Sequence, residues 1–271
     1  MINKPEEKDS VRRVRVLRVG ADGARECEQP LADEGTVELY VNGRYVAGLV
    51  CTMERVRELL VGFLFSEGII LSRGELRDLK TDDGVRYAAT VQKLEGGLRP
   101  KMEKAIIASG CGHAIVLDGE LPVEICHKEI DHEITYTREE ILAIGHALVE
   151  SGGIHRETRG THGAAILKGA ELIVAAEDIS RHNAVDKVVG HCRLKNIPLG
   201  DKALATTGRI SSEIVRKLIR NRMHIIVSRT VPTAAAVDLA DHFLVTTVGA
   251  MTKNSFTVYT QPFRVIPGGR R

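Results

Sequence analysis

One cysteine of this chain lies where its sulfur atom would be uncovered rather than packed. Cys111 stands between Gly110 and Gly112 at the end of a short apolar run, and His113 follows two residues later. The thiolate is the nucleophilic form of cysteine, and a partly protonated imidazole nearby favours it. The pattern predicts a reactive sulfur in a loop; the alternative is a small residue in an ordinary loop.

The chain has five cysteines, and no two of them form a C-x-x-C pair. A structural zinc site is therefore not expected, and a disulfide framework is not expected in a reducing compartment. Most of the five are predicted to be ordinary buried thiols, which behave as small apolar residues. The other four are Cys27, Cys51, Cys126 and Cys192.

Composition limits the classes of function. Of the 271 residues, 43% are hydrophobic and 27% charged, which is typical of a globular protein. The net charge of +2 gives no reason to expect a nucleic-acid-binding surface. The first residues lack the apolar region of a signal peptide, and no run reaches the roughly 18 apolar residues of a membrane span. We therefore expect a cytoplasmic protein that binds neither nucleic acid nor membranes.

Four clusters of polar and small residues stand where the pattern predicts the ends of strands or helices. In the first, glycines flank Thr161 and His162, so that the backbone can approach a ligand closely. The fourth is a loop of small residues between the last two predicted strands. Each of these two could also be an ordinary surface loop. The four clusters are 158–163, 177–187, 206–213 and 249–255.

The second and third clusters each follow a predicted strand and open a predicted helix. Ligands of open α/β sheets bind at such strand ends, and a helix N-terminus offers free N–H groups to a phosphate. In the second cluster Arg181 and Lys187 add positive charge, which predicts an anion site. The alternative is a salt-bridged loop in which Asp178 and Asp186 pair with these two bases. The third lacks P-loop spacing, so that, taken alone, a simple N-cap explains it better.

No motif of a serine hydrolase, a zinc protease or a zinc deaminase is present, and no metal site is predicted.

The elements that must position these residues fall into two parts. The N-terminal part is rich in predicted strands: an edge strand over 11–19, a hairpin over 37–50 about Asn42-Gly43, and one or two strands within 71–100. Between them, apolar spacing predicts a core-facing amphipathic helix over 53–68 that ends at Gly68. We assign residues 1–136 to this smaller β-rich domain, which carries the Cys111 loop.

From residue 137 onward, strands and helices alternate. Thr137 and Glu140 form a capping box that opens a helix, and a hairpin is predicted over 164–176. Helices are then predicted over 183–192, 211–221 and 233–241, and strands over 202–207, 224–228, 243–248 and 255–260. This alternation predicts an α/β domain, residues 137–271, in which helices cover both faces of a mixed sheet in three layers.

Five segments of this sequence are together similar to the formate dehydrogenase accessory sulfurtransferase (FdhD) family: GFLFSEGII, GTHGAAI, EDISRHNAVDKVVG, TGRISSEIVRK and TVYT. The resemblance runs from about residue 37 to 260. It implies a homodimer that takes sulfur from a cysteine desulfurase as a persulfide and delivers it to a molybdenum or tungsten bis-guanine-dinucleotide cofactor for formate dehydrogenase. It also implies a fold similar to that of the cytidine deaminases without their zinc.

The resemblance assigns roles to particular residues. Cys111 matches the persulfide cysteine, in a glycine-flanked loop that we expect to swing between two partners. Ala114 stands where many members have a second cysteine, so only simple sulfur relay is expected. The alternative is a non-catalytic chaperone that binds cofactor and formate dehydrogenase. The predicted cofactor-binding residues are Thr161, His162, Arg181, His182, Asn183, Ser211, Ser212, Ala250, Met251, Thr252, Lys253, Asn254 and Ser255.

Overall fold

The computed structural model describes residues 10–92, 105–107, 115–117 and 134–268. Cys111, His113 and Cys126 lie outside these residues, as does the predicted swing of the Cys111 loop, so these predictions stay untested.

The chain begins with a two-stranded antiparallel ribbon, β1 (Val11–Gly20) and β2 (Gly23–Ala32). The predicted edge strand is therefore confirmed. Its partner β2 was not predicted, because its polar sequence shows no clear apolar alternation.

A four-stranded sheet follows, with strand order β4-β3-β6-β5. Asn42 and Gly43 both have positive φ, 48° and 78°, as a tight hairpin turn requires, so the predicted hairpin is confirmed. The elements of this part are β3 (Gly35–Val41), β4 (Arg44–Cys51), α1 (Val56–Ser66), β5 (Leu76–Thr81) and β6 (Arg86–Val91).

Helix α1 ends as predicted but is more deeply buried than predicted. Gly68 has φ 70°, and the N–H groups of Gly68 and Ile69 donate to the carbonyls of Phe65 and Leu64, which closes the helix. The predicted core-facing helix is confirmed, but its predicted amphipathic character is wrong, because every residue from Leu59 to Ser66 is buried. One side of α1 packs on the four-stranded sheet and another on a helix of the α/β part.

The remaining described elements follow in chain order: β7 (Ala105–Ile107), β8 (Ile115–Leu117), β9 (Tyr136–Thr137), α2 (Arg138–Glu150), α3 (Gly153–Thr158), β10 (His162–Lys168), β11 (Glu171–Asp178), α4 (Arg181–Leu194), β12 (Ala203–Thr206), α5 (Ser212–Arg220), β13 (Ile225–Ser228), α6 (Ala234–His242), β14 (Thr246–Gly249), β15 (Thr257–Thr260) and β16 (Val265–Ile266).

A six-stranded mixed sheet organises this part, in the order β11-β10-β12-β13-β14-β15. Alternate residues of its strands face opposite sides: Ala164 and Ile166 pack against α4–α6, whereas Ala165 and Leu167 pack against α2. The predicted three-layer α/β arrangement is confirmed. The similarity to the cytidine deaminases stays a prediction.

The helices and strands predicted from residue 137 onward are all present, with small shifts at their ends. The Thr137–Glu140 capping box is formed, with the Thr137 hydroxyl accepting from the Glu140 N–H at 3.2 Å. Strand β14 starts at Thr246 rather than at 243, because Leu244 adopts a left-handed φ of 53° after α6. The short α3, β9 and β16 were not predicted.

Helices α1 and α4 cross in backbone contact at two glycines. A Cβ on Gly62 would lie 1.8 Å from the Asp186 carbonyl oxygen, and one on Gly190 would lie 1.8 Å from that of Glu58. The N-terminal part is thus packed tightly onto the α/β part. The domain boundary at 136/137 stays a prediction; β9 spans it and pairs with β16.

Within the described residues, no helix is both long and apolar enough to cross a bilayer.

Candidate functional site

The four polar clusters meet at one edge of the six-stranded sheet. His162 at the start of β10 lies opposite Asp178 at the end of β11, and β12, β13 and β14 all end on the same side. The loops after β11, β12 and β14 and the loop before β10 are therefore neighbours. Two helix N-termini, those of α4 and α5, open at this edge, as predicted.

A buried ion pair holds the start of α4 in place. Lys187 Nζ lies 2.7 Å from Asp178 Oδ2, and neither side chain is exposed. Lys187 also donates to the Thr52 hydroxyl at 2.6 Å, while Asp178 Oδ1 accepts from the Ser180 N–H at 3.0 Å. The prediction that Lys187 contributes to an anion site is wrong, because its buried ammonium group is already paired with Asp178 and hydrogen-bonded to Thr52. Asp186 pairs with Lys217 rather than with Arg181.

Arg181, the first residue of α4, has a different environment. Its side chain is buried, and its Nε has no hydrogen-bond partner. In the part of the chain that the structure describes, no carboxylate pairs with its guanidinium group. Gly208 makes room for it, since a Cβ on Gly208 would lie 2.7 Å from Arg181 Cβ. A buried cation with unused donors at a helix N-terminus can take an anion.

Two histidines flank this arginine. Burial lowers the pKa of His182 to about 3, with further contributions from Lys217, Arg181 and His162. Burial likewise lowers the pKa of His162, helped by Arg181 and His155. Both imidazoles are therefore neutral at pH 7, and each can accept a hydrogen bond from a ligand through an unprotonated nitrogen. His182 Nε2 lies 3.5 Å from Glu213 Oε2 on α5.

Other predicted site residues make internal contacts here. The Asn183 amide donates to the Val50 carbonyl at 2.9 Å and to Asp178 Oδ1 at 3.0 Å. The buried Thr161 hydroxyl donates to Glu177 Oε1 at 3.0 Å.

At the start of α5, Ser211 is the N-cap residue, although its hydroxyl contacts the Glu213 carboxylate at 3.4 Å rather than capping the helix. Ser212 follows as the first residue of α5 and is partly exposed.

The loop 250–255 is a compact turn. Ala250 adopts a positive φ of 50° and donates its N–H to the Thr230 carbonyl, and Met251 is buried against Gly145 of α2. The Thr252 and Ser255 hydroxyls lie 2.7 Å apart across the turn. Asn254 is exposed, and its carbonyl accepts from Arg138 at 2.8 Å. Lys253 is exposed at the tip.

Each of the four clusters, and also the loop after β13, carries one cation without a described carboxylate partner. Arg181 and Lys253 were predicted site residues, whereas the other three were not. Their common signal was visible in the sequence, since each stands within four residues of a strand end. The five are Arg159, Arg181, Arg209, Arg229 and Lys253. The nearby carboxylates Asp178, Glu177 and Glu213 all have internal partners. The edge can therefore hold a ligand with several negative charges.

Two of the three described cysteines are unsuited to nucleophilic attack. Cys51 and Cys192 are fully buried, and burial raises their pKa to about 12 and about 11. Both thiols stay protonated at neutral pH and cannot act as nucleophiles. Cys27 on β2 is partly exposed. Among the described residues, no three His, Cys, Asp or Glu side chains lie close enough together to hold a metal ion.

Comparison with known proteins covers nearly the whole chain. The model of the FdhD/NarQ family matches residues 32–266. Two curated relatives from Staphylococcus aureus, strains MRSA252 and Newman, are each named "Sulfur carrier protein FdhD". They are 35% and 36% identical to this chain over 234 residues, 86% of this chain and 88% of each relative.

A solved structure has the same fold. It is described as that of a formate dehydrogenase accessory protein from Desulfotalea psychrophila, and it superposes with a TM-score of 0.77 at 23% identity. The match covers 95% of this chain and all of the other.

Proposed function

The chain belongs to the FdhD/NarQ family, and on this basis we propose that it is a sulfur carrier required for formate dehydrogenase activity. The observation that carries the proposal is the identity of 36% to a named sulfur carrier over 86% of the chain. Its protein partners are a cysteine desulfurase and the catalytic subunit of formate dehydrogenase, and it works as a homodimer.

Cys111 carries the sulfur. Its thiolate attacks the outer sulfur of the desulfurase persulfide, the sulfur–sulfur bond of that persulfide breaks, and the desulfurase cysteine leaves as a thiolate. The new bond leaves Cys111 as a persulfide, so one thiol suffices and Ala114 is no obstacle. The burial of Cys51 and Cys192 supports this assignment, because neither can compete for the sulfur.

The recipient of the sulfur is the molybdenum or tungsten bis-guanine-dinucleotide cofactor, bound as a substrate. Its two pyrophosphates carry several negative charges, which suits an edge with five cations and two helix N-termini. Arg181 supplies a buried donor, and His162 and His182 supply neutral acceptors for the N–H groups of a base. Ser211, Ser212 and the loop 250–255 border the same edge.

The second candidate is a non-catalytic chaperone that carries the cofactor to formate dehydrogenase. The replacement of the second cysteine by Ala114 favours it, because a resolving thiol is then missing from this loop. The two functions differ in whether Cys111 must be nucleophilic.

Intact-mass spectrometry with peptide mapping tests the proposal. The protein is incubated with a cysteine desulfurase, pyridoxal phosphate and cysteine. One added sulfur on the Cys111 peptide, lost in Cys111→Ser but kept in Cys27→Ser, is the expected result. Cys27 is the matched control because it is a partly exposed thiol on β2.

Full activation of formate dehydrogenase by the Cys111→Ser variant would contradict the sulfur relay. Activation by this variant is expected of a chaperone.

A further inference from the structure

The ribbon of β1 and β2 lies N-terminal to the part of the chain that the family model matches. The family match begins at residue 32, so nearly all of the ribbon precedes it. Its base is fastened to α3: Arg13 pairs with Glu157 at 3.1 Å, and Ala32 packs against Gly160. A two-stranded ribbon is marginally stable by itself in water. The ribbon is therefore expected to gain stability from a partner.

The register divides the ribbon into two faces of different charge. Residues directly opposite each other share a face. One face, which we call the arginine face, carries three arginines and no carboxylate. Its pairs are Arg12–Leu31, Val14–Gln29, Val16–Cys27 and Arg18–Arg25. The other face carries two arginines and two glutamates. Its pairs are Arg13–Pro30, Arg15–Glu28, Leu17–Glu26 and Val19–Ala24.

The arginine face combines an apolar strip with an uncompensated pair of cations. Val14, Val16 and Cys27 form the strip and are partly exposed. Arg18 and Arg25 are exposed and directly opposite, and like charges in this position destabilise a strand pair. Neither forms an ion pair within the described residues. A carboxylate placed between them would remove the repulsion.

We propose that the arginine face docks a segment of a partner protein that carries apolar side chains next to carboxylates. The apolar side chains cover the strip of Val14, Val16 and Cys27, and the carboxylates bind Arg18 and Arg25. A second copy of this chain fits less well, because the same face docked on itself would bring arginines against arginines. The choice of partners to test rests on the proposed function.

The test is the affinity of the full chain for purified cysteine desulfurase and for purified formate dehydrogenase catalytic subunit, measured by calorimetry. The variant is Arg18→Glu/Arg25→Glu, and Arg18→Gln/Arg25→Gln serves as a milder second variant should the first not fold. The control is Arg44→Glu/Lys195→Glu, which makes the same change of net charge at two exposed sites outside the ribbon.

The charge-reversal variant Arg18→Glu/Arg25→Glu should bind one of the two partners about tenfold or more weakly than the unaltered chain does at about 50 mM salt. This difference in affinity should shrink at about 500 mM salt, where exposed charges are screened. The neutral variant loses less. Unchanged affinity for both partners overturns the proposal, as does an equal loss in the control. A shift of the reversal variant from dimer to monomer also overturns it, because the occupant is then a second copy.

Failure of the proposed function is detected separately. Inorganic polysulfide transfers sulfur to a thiolate without any protein contact. If Cys111 of the unaltered chain takes no sulfur from polysulfide, the sulfur-carrier function fails, whereas the docking result stands on the binding data alone.

Discussion

Lys187 and Asp178 form an ion pair with no exposed side-chain surface, at an Nζ–Oδ2 distance of 2.7 Å. Thr52, which lies 126 residues from Asp178 along the chain, completes the cluster through its backbone N–H and its hydroxyl. The cluster thus joins the end of β4 to the end of β11 and to α4. It fixes the position of α4 at this edge of the six-stranded sheet.

Removal of this cation is expected to destabilise the protein strongly. Lys187→Met leaves the Asp178 charge buried without its partner, which costs about 3–5 kcal/mol of the free energy of unfolding. The measurement is denaturation by urea. The control is Lys80→Met, since Lys80 forms an equally short pair with Asp78, 2.6 Å, on the surface. A similar small loss in both variants would show that burial does not decide the strength of the pair.

The crossing of α1 and α4 is expected to exclude any side chain at two positions. Gly62→Ala and Gly190→Ala each place a Cβ 1.8 Å from a carbonyl oxygen of the other helix, where no flexible side chain can move away. Each change should cost about 3 kcal/mol or more, although alanine favours an isolated helix by about 1 kcal/mol. Gly20→Ala is the control, because nothing lies within 4 Å of its Cβ position. Unfolding curves of Gly62→Ala and Gly190→Ala that match those of Gly20→Ala would refute the close contact.

Stability should fall in acid partly because of His182. Its pKa is about 3 in the folded state and about 6.5 when unfolded. Between these values the unfolded state binds the extra proton, so this histidine lowers the free energy of unfolding as the pH falls. The contribution is about 1.4 kcal/mol per pH unit between about pH 6 and the folded-state pKa of about 3.

The test compares His182→Gln with the unaltered chain by urea denaturation at several pH values. The variant should lose less stability on acidification, whereas His146→Gln, at an exposed position on α2, should follow the unaltered chain. Identical pH profiles for all three proteins would mean that His182 is not held neutral by the fold.

Arg181 is expected to serve a ligand rather than the fold. Arg181→Met should weaken binding of guanosine diphosphate, used as the probe, by about ten- to a hundredfold through loss of a charged hydrogen bond. The melting temperature of the ligand-free protein should stay the same or rise, because a buried cation without a partner is costly. Calorimetry and thermal unfolding measure the two effects, with Arg44→Met on the distant β3–β4 hairpin as control. A lower melting temperature with unchanged affinity would make Arg181 a structural residue.

The buried thiols are expected to resist alkylation. At about pH 7.5 a maleimide should label Cys27 in the native protein, whereas Cys51 and Cys192 should react only after unfolding, because they are buried and protonated. Peptide mapping of the labelled protein distinguishes the three sites. Rapid native labelling of Cys51 or Cys192 would reopen the question of a second sulfur-carrying cysteine.

Features that depend on neighbours in sequence were predictable. The hairpin at Asn42-Gly43, the capping box of Thr137 and Glu140 and the helix end at Gly68 each need only a few adjacent residues to adopt one backbone geometry. The alternation of strands and helices from residue 137 likewise predicted the three layers. It also indicated that the second, third and fourth polar clusters share one sheet edge, because parallel strands end on the same side. The first cluster joins them through the antiparallel pairing of β10 with β11 and β12.

Only the tertiary structure decided which polar side chains at this edge pair with other groups inside the protein. In the sequence Arg181 and Lys187 are two similar cations of one helix, but Lys187 meets Asp178 and Thr52 in the interior whereas Arg181 meets no carboxylate. The burial of α1 on more than one side likewise depends on α4, which lies far along the chain. Sequence specifies local geometry through short-range sterics and hydrogen bonds. Burial depends on segments that come together only in the folded protein, and burial in turn sets how strongly charged groups interact.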